Sequence, residues 1–184
     1  DYAAKIQQLL DLYPWEIQLT QLNLLASHDT ARLLSIAQHD RASVELATLL
    51  LFTFPGAVSI YYGDEVGLAG ALDPDSRRGF PIESDWDREL LDYHRQLIAL
   101  RHQYPALRIG TYRVLAAEGN AYVFVRTLAD VELIVAVNVG MESATVSLDV
   151  TALGVNTRSS RLLFGTAELE WPQIDQVLSI DLNA

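Results

Sequence analysis

Cysteine is absent from the 184 residues, which excludes a disulfide framework and a thiolate metal site and leaves stability to packing. Basic residues are scarce: 13 lysines and arginines stand against 24 aspartates and glutamates, for a formal charge of −11. The acids are scattered rather than gathered into a tail, so nucleic acid and anionic membranes are excluded as partners, while a neutral ligand such as a sugar is compatible. No uninterrupted apolar run reaches the roughly eighteen residues that a membrane span needs. The chain starts Asp1-Tyr2-Ala3-Ala4-Lys5, without an initiator methionine, a basic leader or an apolar leader core, and is expected to be soluble and cut short at its start. What is there is a hydrophobic half, enough to bury one large core or two small ones.

Along the chain, the apolar spacing of residues 3–12 predicts a short helix ended by Pro14. Leu22 to Ser27 is short and almost continuously apolar, stopping at His28-Asp29, as a buried parallel strand does. Ala42 to Phe54 reads as a core helix closed by Pro55-Gly56. Ala57 to Tyr62 is β-branched and aromatic, a second buried strand closed by Gly63-Asp64-Glu65. Gly67 to Asp85 reads as one long loop, a length that points to function. Trp86 to Tyr104 has helical spacing up to Pro105.

Beyond Pro105 the runs become short and alternating: Tyr112–Leu115, Ala121–Thr127, Glu132–Asn138, Ala144–Val150, Arg161–Phe164 and Val177–Ile180. Turn signals at Glu118-Gly119-Asn120 and Ala129-Asp130 make hairpins of the first of them, so about six antiparallel strands, with no helix of their own, should form a small sandwich. The fold class is therefore α/β plus all-β, with one domain over residues 1–105 and a β domain over 106–184.

In a parallel β/α protein the C-terminal strand ends face the ligand crevice. Two such ends are present, His28-Asp29 and Asp64-Glu65. An aspartate after a strand can simply cap the next helix. The longer string Asn23-Leu-Leu-Ala-Ser-His28-Asp29-Thr-Ala-Arg32, followed by Phe54-Pro-Gly-Ala-Val-Ser-Ile-Tyr-Tyr-Gly-Asp64-Glu65-Val-Gly67 and by Asp73-Pro-Asp-Ser-Arg-Arg78, is more specific. It resembles the α-amylase family of glycoside hydrolases, in wording nearest to the cyclomaltodextrinase, neopullulanase and maltogenic amylase group.

That resemblance covers essentially the whole chain. It implies the C-terminal part of a (β/α)8 TIM barrel, with strands seven and eight, over residues 1–105, and then a small antiparallel β-sandwich. It implies a retaining hydrolase or transglycosylase of α-glucans such as starch, maltooligosaccharides or cyclodextrins. Such enzymes need a carboxylate nucleophile and a carboxylic acid about 5 Å apart. The family adds a third carboxylate, and by resemblance Asp29 is that transition-state stabiliser, with His28 hydrogen-bonding the same sugar hydroxyls. No stretch matches the motifs of the nucleophile or the acid, so the segment is expected to be inactive alone and to need an upstream barrel portion. Tyr62 and Arg78 are further candidate substrate-binding residues, and Phe80 could stack on a sugar.

Other readings stand beside these. Asp64 and Glu65 could be a catalytic pair, but adjacent strand residues point to opposite faces, and Glu65 reads as structural. Arg32 either orients Asp29 through a bidentate pair or is a solvated helix residue. The loop departs from the family where a Trp-Asp is usual: Ile82-Glu83 stands there, or the pair is displaced to Trp86-Asp87. His39, His94 and His102 have no partner at metal-ligand spacing, and no metal or cofactor is expected. The alternative function is a non-catalytic carbohydrate-binding or interaction module, against which the sandwich carries Trp171 as its one tryptophan. An incomplete barrel leaves open strand edges, so a homodimer or disorder within residues 1–30 is expected. Absence of cysteine and the resemblance lean towards the cytoplasm.

Overall fold

The computed structural model describes residues 2–149, 161–170 and 177–182. They fall into two compact units, Pro14–Arg108 and a second that joins Asp1–Tyr13 to Ile109–Ala184. The first helix, α1 (Tyr2–Asp11), therefore belongs with the β-rich unit, although in sequence it precedes the strands of the other. It buries Ile6 and Leu10 and sets Tyr2 edge-on to Tyr122, with ring centroids 5.0 Å apart.

The Pro14–Arg108 unit runs α2 (Trp15–Gln18), β1 (Leu22–Asn23), α3 (Leu33–Ile36), α4 (Arg41–Thr53), β2 (Ala57–Val58) and α5 (Arg88–Gln103), with one turn of helix, α6 (Ala106–Ile109), at its end. β1 and β2 pair in parallel, Leu22 opposite Ala57 and Asn23 opposite Val58. The six-residue strands expected from the apolar runs are thus two residues long. Each has only the other as a ladder partner among the described residues, and beyond the pair the backbone bends away into turns.

Helix ends follow the side chains available to them. The Asp40 carboxylate accepts the Ala42 and Ser43 N–H groups to start α4, and Asp87 accepts the Leu90 N–H to start α5, each matching an otherwise orphaned donor. Gly56 follows α4 at φ +103°, and a Cβ there would come within 2.5 Å of Asn23 Nδ2 and 2.7 Å of the Gln21 carbonyl. The Asn23 amide donates to the Pro55 carbonyl at 2.7 Å, so β1 is tied to the turn that launches β2. Ala26, Leu33, Val44 and Leu90 form the core here.

Arg101, on α5, is buried and donates to the carbonyls of Phe52, Phe54, Gly56 and Leu107. One side chain thereby satisfies the end of α4, the turn into β2 and the start of α6.

In the second unit β3 (Thr111–Glu118), β4 (Ala121–Leu128) and β5 (Val131–Asn138) form one antiparallel sheet in that order, with a bulge between Val114 and Ala116. β6 (Ala144–Asp149), β8 (Val177–Leu182) and β7 (Glu168–Glu170) form another, ordered β6-β8-β7. Ala121 and Val123 pack on Val146, Leu148, Leu178, Ile180 and Leu182, the core of a sandwich. Both predicted hairpin turns are present, with Gly119 and Ala129 at positive φ. The run Arg161–Phe164 is not a strand; β7 lies four residues further on. Leu162 and Leu163 are both exposed, so that run lacks the alternately buried face a strand needs. Trp171 lies outside the described residues.

Candidate functional site

The turn after β1 is built by short polar side chains. The Ser27 N–H donates to Thr30 Oγ1 at 3.0 Å, and the Asp29 N–H donates to Ser27 Oγ at 3.2 Å. Ser27 and Thr30 use up the local donors and acceptors, and His28 and Asp29 are pushed outward. Their side chains are 61% and 71% exposed, with His28 Nε2 3.3 Å from Asp29 Oδ2.

The loop after β2 comes back onto this turn. Arg77 Nη2 lies 3.5 Å from Asp29 Oδ1, and its Nε donates to the His28 carbonyl at 3.3 Å and pairs with Asp73 at 2.8 Å. Ser76 Oγ donates to the same His28 carbonyl at 3.2 Å. The Tyr62 hydroxyl donates to the Arg78 carbonyl at 2.6 Å. His28 and Asp29 thus share one face with Arg77, and Tyr62 is linked to the neighbouring residue of that loop. Arg78 takes part through its backbone, since its guanidinium pairs with Asp75 at 2.5 Å and reaches the Ala69 carbonyl.

Arg77 belongs to the Asp73–Arg78 string that carries the family resemblance, but local spacing does not encode its contact with Asp29.

Behind this face sits a buried layer. Arg32 has no exposed surface. Its Nη1 donates to the Tyr62 carbonyl and, at 3.4 Å, to Asp64, and its Cζ lies over the rings of Tyr61 and Tyr62, 4.1 and 4.4 Å from their centroids. Neither sequence reading of Arg32 describes this, because the residue is neither solvated nor paired with Asp29.

Asp64 and Glu65 stand on a 3-10 turn, Asp64–Val66, rather than on a strand. Asp64 is buried, and Glu65 folds back to accept the Gly63 N–H at 2.7 Å. Burial pushes the Asp64 carboxyl up to about 6, against the opposing pull of Arg32. Asp64, Thr48 and His94 line one cavity beneath the turn. Burial lowers the His94 pKa, and its Nδ1 sits 2.9 Å from the Leu90 carbonyl, which fits a neutral imidazole protonated on Nδ1.

Further along the loop, half-exposed Phe80 stands edge-on to Trp86 at 5.7 Å, and the Trp86 Nε1 donates to the Pro81 carbonyl. Asp87 is occupied as the α5 cap. Among the described residues, no three His, Asp or Glu side chains gather as metal ligands would.

An exposed carboxylate beside an imidazole and a guanidinium at the end of a parallel strand pair can bind sugar hydroxyls or face a developing positive charge. Residues 3–79 match the family model for the α-amylase catalytic domain, and residues 110–183 match that for the α-amylase C-terminal domain. The chain belongs to the α-amylase family. Among family members it is 37% identical over 157 residues to a cyclomaltodextrinase of Geobacillus thermopakistaniensis, with 84% of this chain and 27% of that protein covered. It is 39% identical to neopullulanase 2 of Thermoactinomyces vulgaris, covering 85% of this chain and 27% of that one. A debranching enzyme structure from Nostoc punctiforme superposes over all of this chain and 38% of its own, with a TM-score of 0.92 and 62% identity. The chain therefore spans about a quarter of the length of these curated α-amylase relatives. Its two units are consistent with the last part of an α-amylase barrel and the β domain that follows it.

Proposed function

We propose that this chain supplies one wall of the active site of a retaining α-glucan hydrolase or transglycosylase. Asp29 acts in it as the carboxylate that stabilises the oxocarbenium-like transition state. The observation behind this reading is the exposed Asp29 held between His28 and Arg77 in the turn after β1. His28 hydrogen-bonds sugar hydroxyls, and the partly exposed ring of Tyr62 offers an apolar face to the sugar. Arg78 contributes by holding the Tyr62 hydroxyl through its carbonyl.

Bond cleavage requires a nucleophile and an acid about 5 Å apart. Asp64 is buried and Glu65 is engaged with Gly63, so neither takes those roles; the nucleophile and the acid come from an upstream barrel portion. An ionised Asp29 contributes by lowering the energy of the charged transition state more than that of the neutral ground state.

Sugar release from maltooligosaccharides and cyclodextrins tests this reading, using the chain alone and mixed with the upstream barrel portion. Inertness alone, activity on mixing, and loss of that activity with Asp29→Asn support it. Hydrolysis by the unmixed chain refutes the division of roles.

A further inference from the structure

Arg32 and Arg101 are both buried in the Pro14–Arg108 unit, but they are held differently. Arg101 spends its donors on four backbone carbonyls. Arg32 uses Nη1 alone, while its Nε and Nη2 have no acceptor among the described residues. A buried guanidinium with unmatched donors costs desolvation energy that a fully bonded one recovers. Such a cost persists where placement matters more than stability.

What Arg32 gains is position. Its backbone N–H donates to the Gly70 carbonyl at 3.0 Å, which fixes the loop that carries Arg77 and Arg78. Its guanidinium supports the Tyr62 carbonyl and lies against the Tyr61 and Tyr62 rings. It is also three residues from Asp29, at the downstream end of the turn that presents it. Three segments of the site therefore meet at one residue, Arg32, whose side chain supports Tyr61 and Tyr62 while its backbone holds the loop.

Given Asp29 in the role proposed above, we infer that Arg32 is a positioning residue that sets Tyr62 and the Asp29 turn in register without touching the sugar. Lysine in its place keeps a cation for Asp64 but loses the flat guanidinium face and its fork of donors. The fold should survive while the register loosens. Since misplacement of a charge-stabilising group by a fraction of an ångström acts on the transition state, kcat should fall about tenfold or more, with KM moving less than about threefold.

The test is steady-state kinetics on maltooligosaccharides in the full-length enzyme, comparing Arg32→Lys, Arg101→Lys and Asp29→Asn, each checked for folding by circular dichroism. A kcat loss in Arg32→Lys that is absent from equally folded Arg101→Lys supports the inference, because a purely structural role would not separate the two. Wild-type kcat in folded Arg32→Lys, with Asp29→Asn inactive, overturns it. Full activity in Asp29→Asn overturns the Asp29 reading itself and the inference with it. Should Arg32→Lys fail to fold, Tyr61→Leu removes one of the rings under the guanidinium and Tyr61→Phe restores it. A kcat loss in the first that the second rescues supports the inference, and equal rates overturn it.

Discussion

Arg77 reaches across from the loop after β2 to place Nη2 3.5 Å from the Asp29 carboxylate. The contact joins the turn after β1 to the loop after β2, and the adjacent Arg78 makes no such contact, being turned to Asp75. Two arginines side by side in sequence therefore have different partners and should respond differently to mutation.

In the full-length enzyme, Arg77→Gln should lower kcat/KM by about tenfold, the combined loss of its partly exposed contacts to Asp29, the His28 carbonyl and Asp73. Arg78→Gln should stay within about threefold of wild type, since its carbonyl still receives the Tyr62 hydroxyl. Parallel kinetics on the two variants check this, and equal effects would contradict the geometry.

Arg101→Leu should destabilise the Pro14–Arg108 unit by more than about 3 kcal/mol, because several buried carbonyls lose their donor at once. Urea unfolding followed by tryptophan fluorescence would register a lowered midpoint. A shift of less than about 1 kcal/mol would mean that water replaces the guanidinium.

Asp64 gives a pH prediction with a definite sign. Its carboxyl titrates near 6 in the folded chain against an ordinary value of 3.8, so between those values the folded state binds more proton than the unfolded one. Its stabilising contribution is complete below about pH 4 and is lost as pH rises through 6. Relative to Asp64→Asn, the wild-type chain should therefore lose on the order of 2–3 kcal/mol between pH 4 and pH 7. Denaturant melts of both proteins across that range measure it, and parallel pH profiles would rule it out. Buried His94 works in the opposite direction, its neutral form favouring the fold above its ordinary pKa.

The segment around β1 should make the isolated chain associate. Leu22 and Leu24 are 64% and 46% exposed beside a strand that has one ladder partner among the described residues. Sedimentation should show concentration-dependent oligomers that Leu22→Lys with Leu24→Glu reduces. Identical profiles for the two proteins would place the contact elsewhere.

Much of the architecture was legible in the sequence because it rests on local rules. Pro55-Gly56 and Pro105 are stops, and the alternating runs Ala121–Thr127 and Glu132–Asn138 around Ala129-Asp130 predict a hairpin that the sheet contains. The parallel pairing of the two apolar runs was legible because such runs bounded by polar residues mark buried strands, but the strands end at Asn23 and Val58, short of His28-Asp29 and Asp64-Glu65. Three features were not. The length of β1 depends on neighbours outside the run, which a hydropathy pattern does not contain. The strand expected at Arg161–Phe164 rested on composition, whereas strand formation there depends on which face is covered. Arg32 and Arg77 gain their meaning from residues thirty to fifty positions away, Tyr62 and Asp29 respectively, and no local spacing encodes such contacts.

Gly56 has a consequence for inheritance. With a Cβ at that position driven to 2.5 Å from Asn23 Nδ2 and 2.7 Å from the Gln21 backbone, any missense change in its codon wedges a side chain between the chain segments that carry β1 and β2. Such a mutation lies in neither strand, since Gly56 only precedes β2, and a genetic screen would score it as a loss of the folded strand pair, not as a change to any residue of the site.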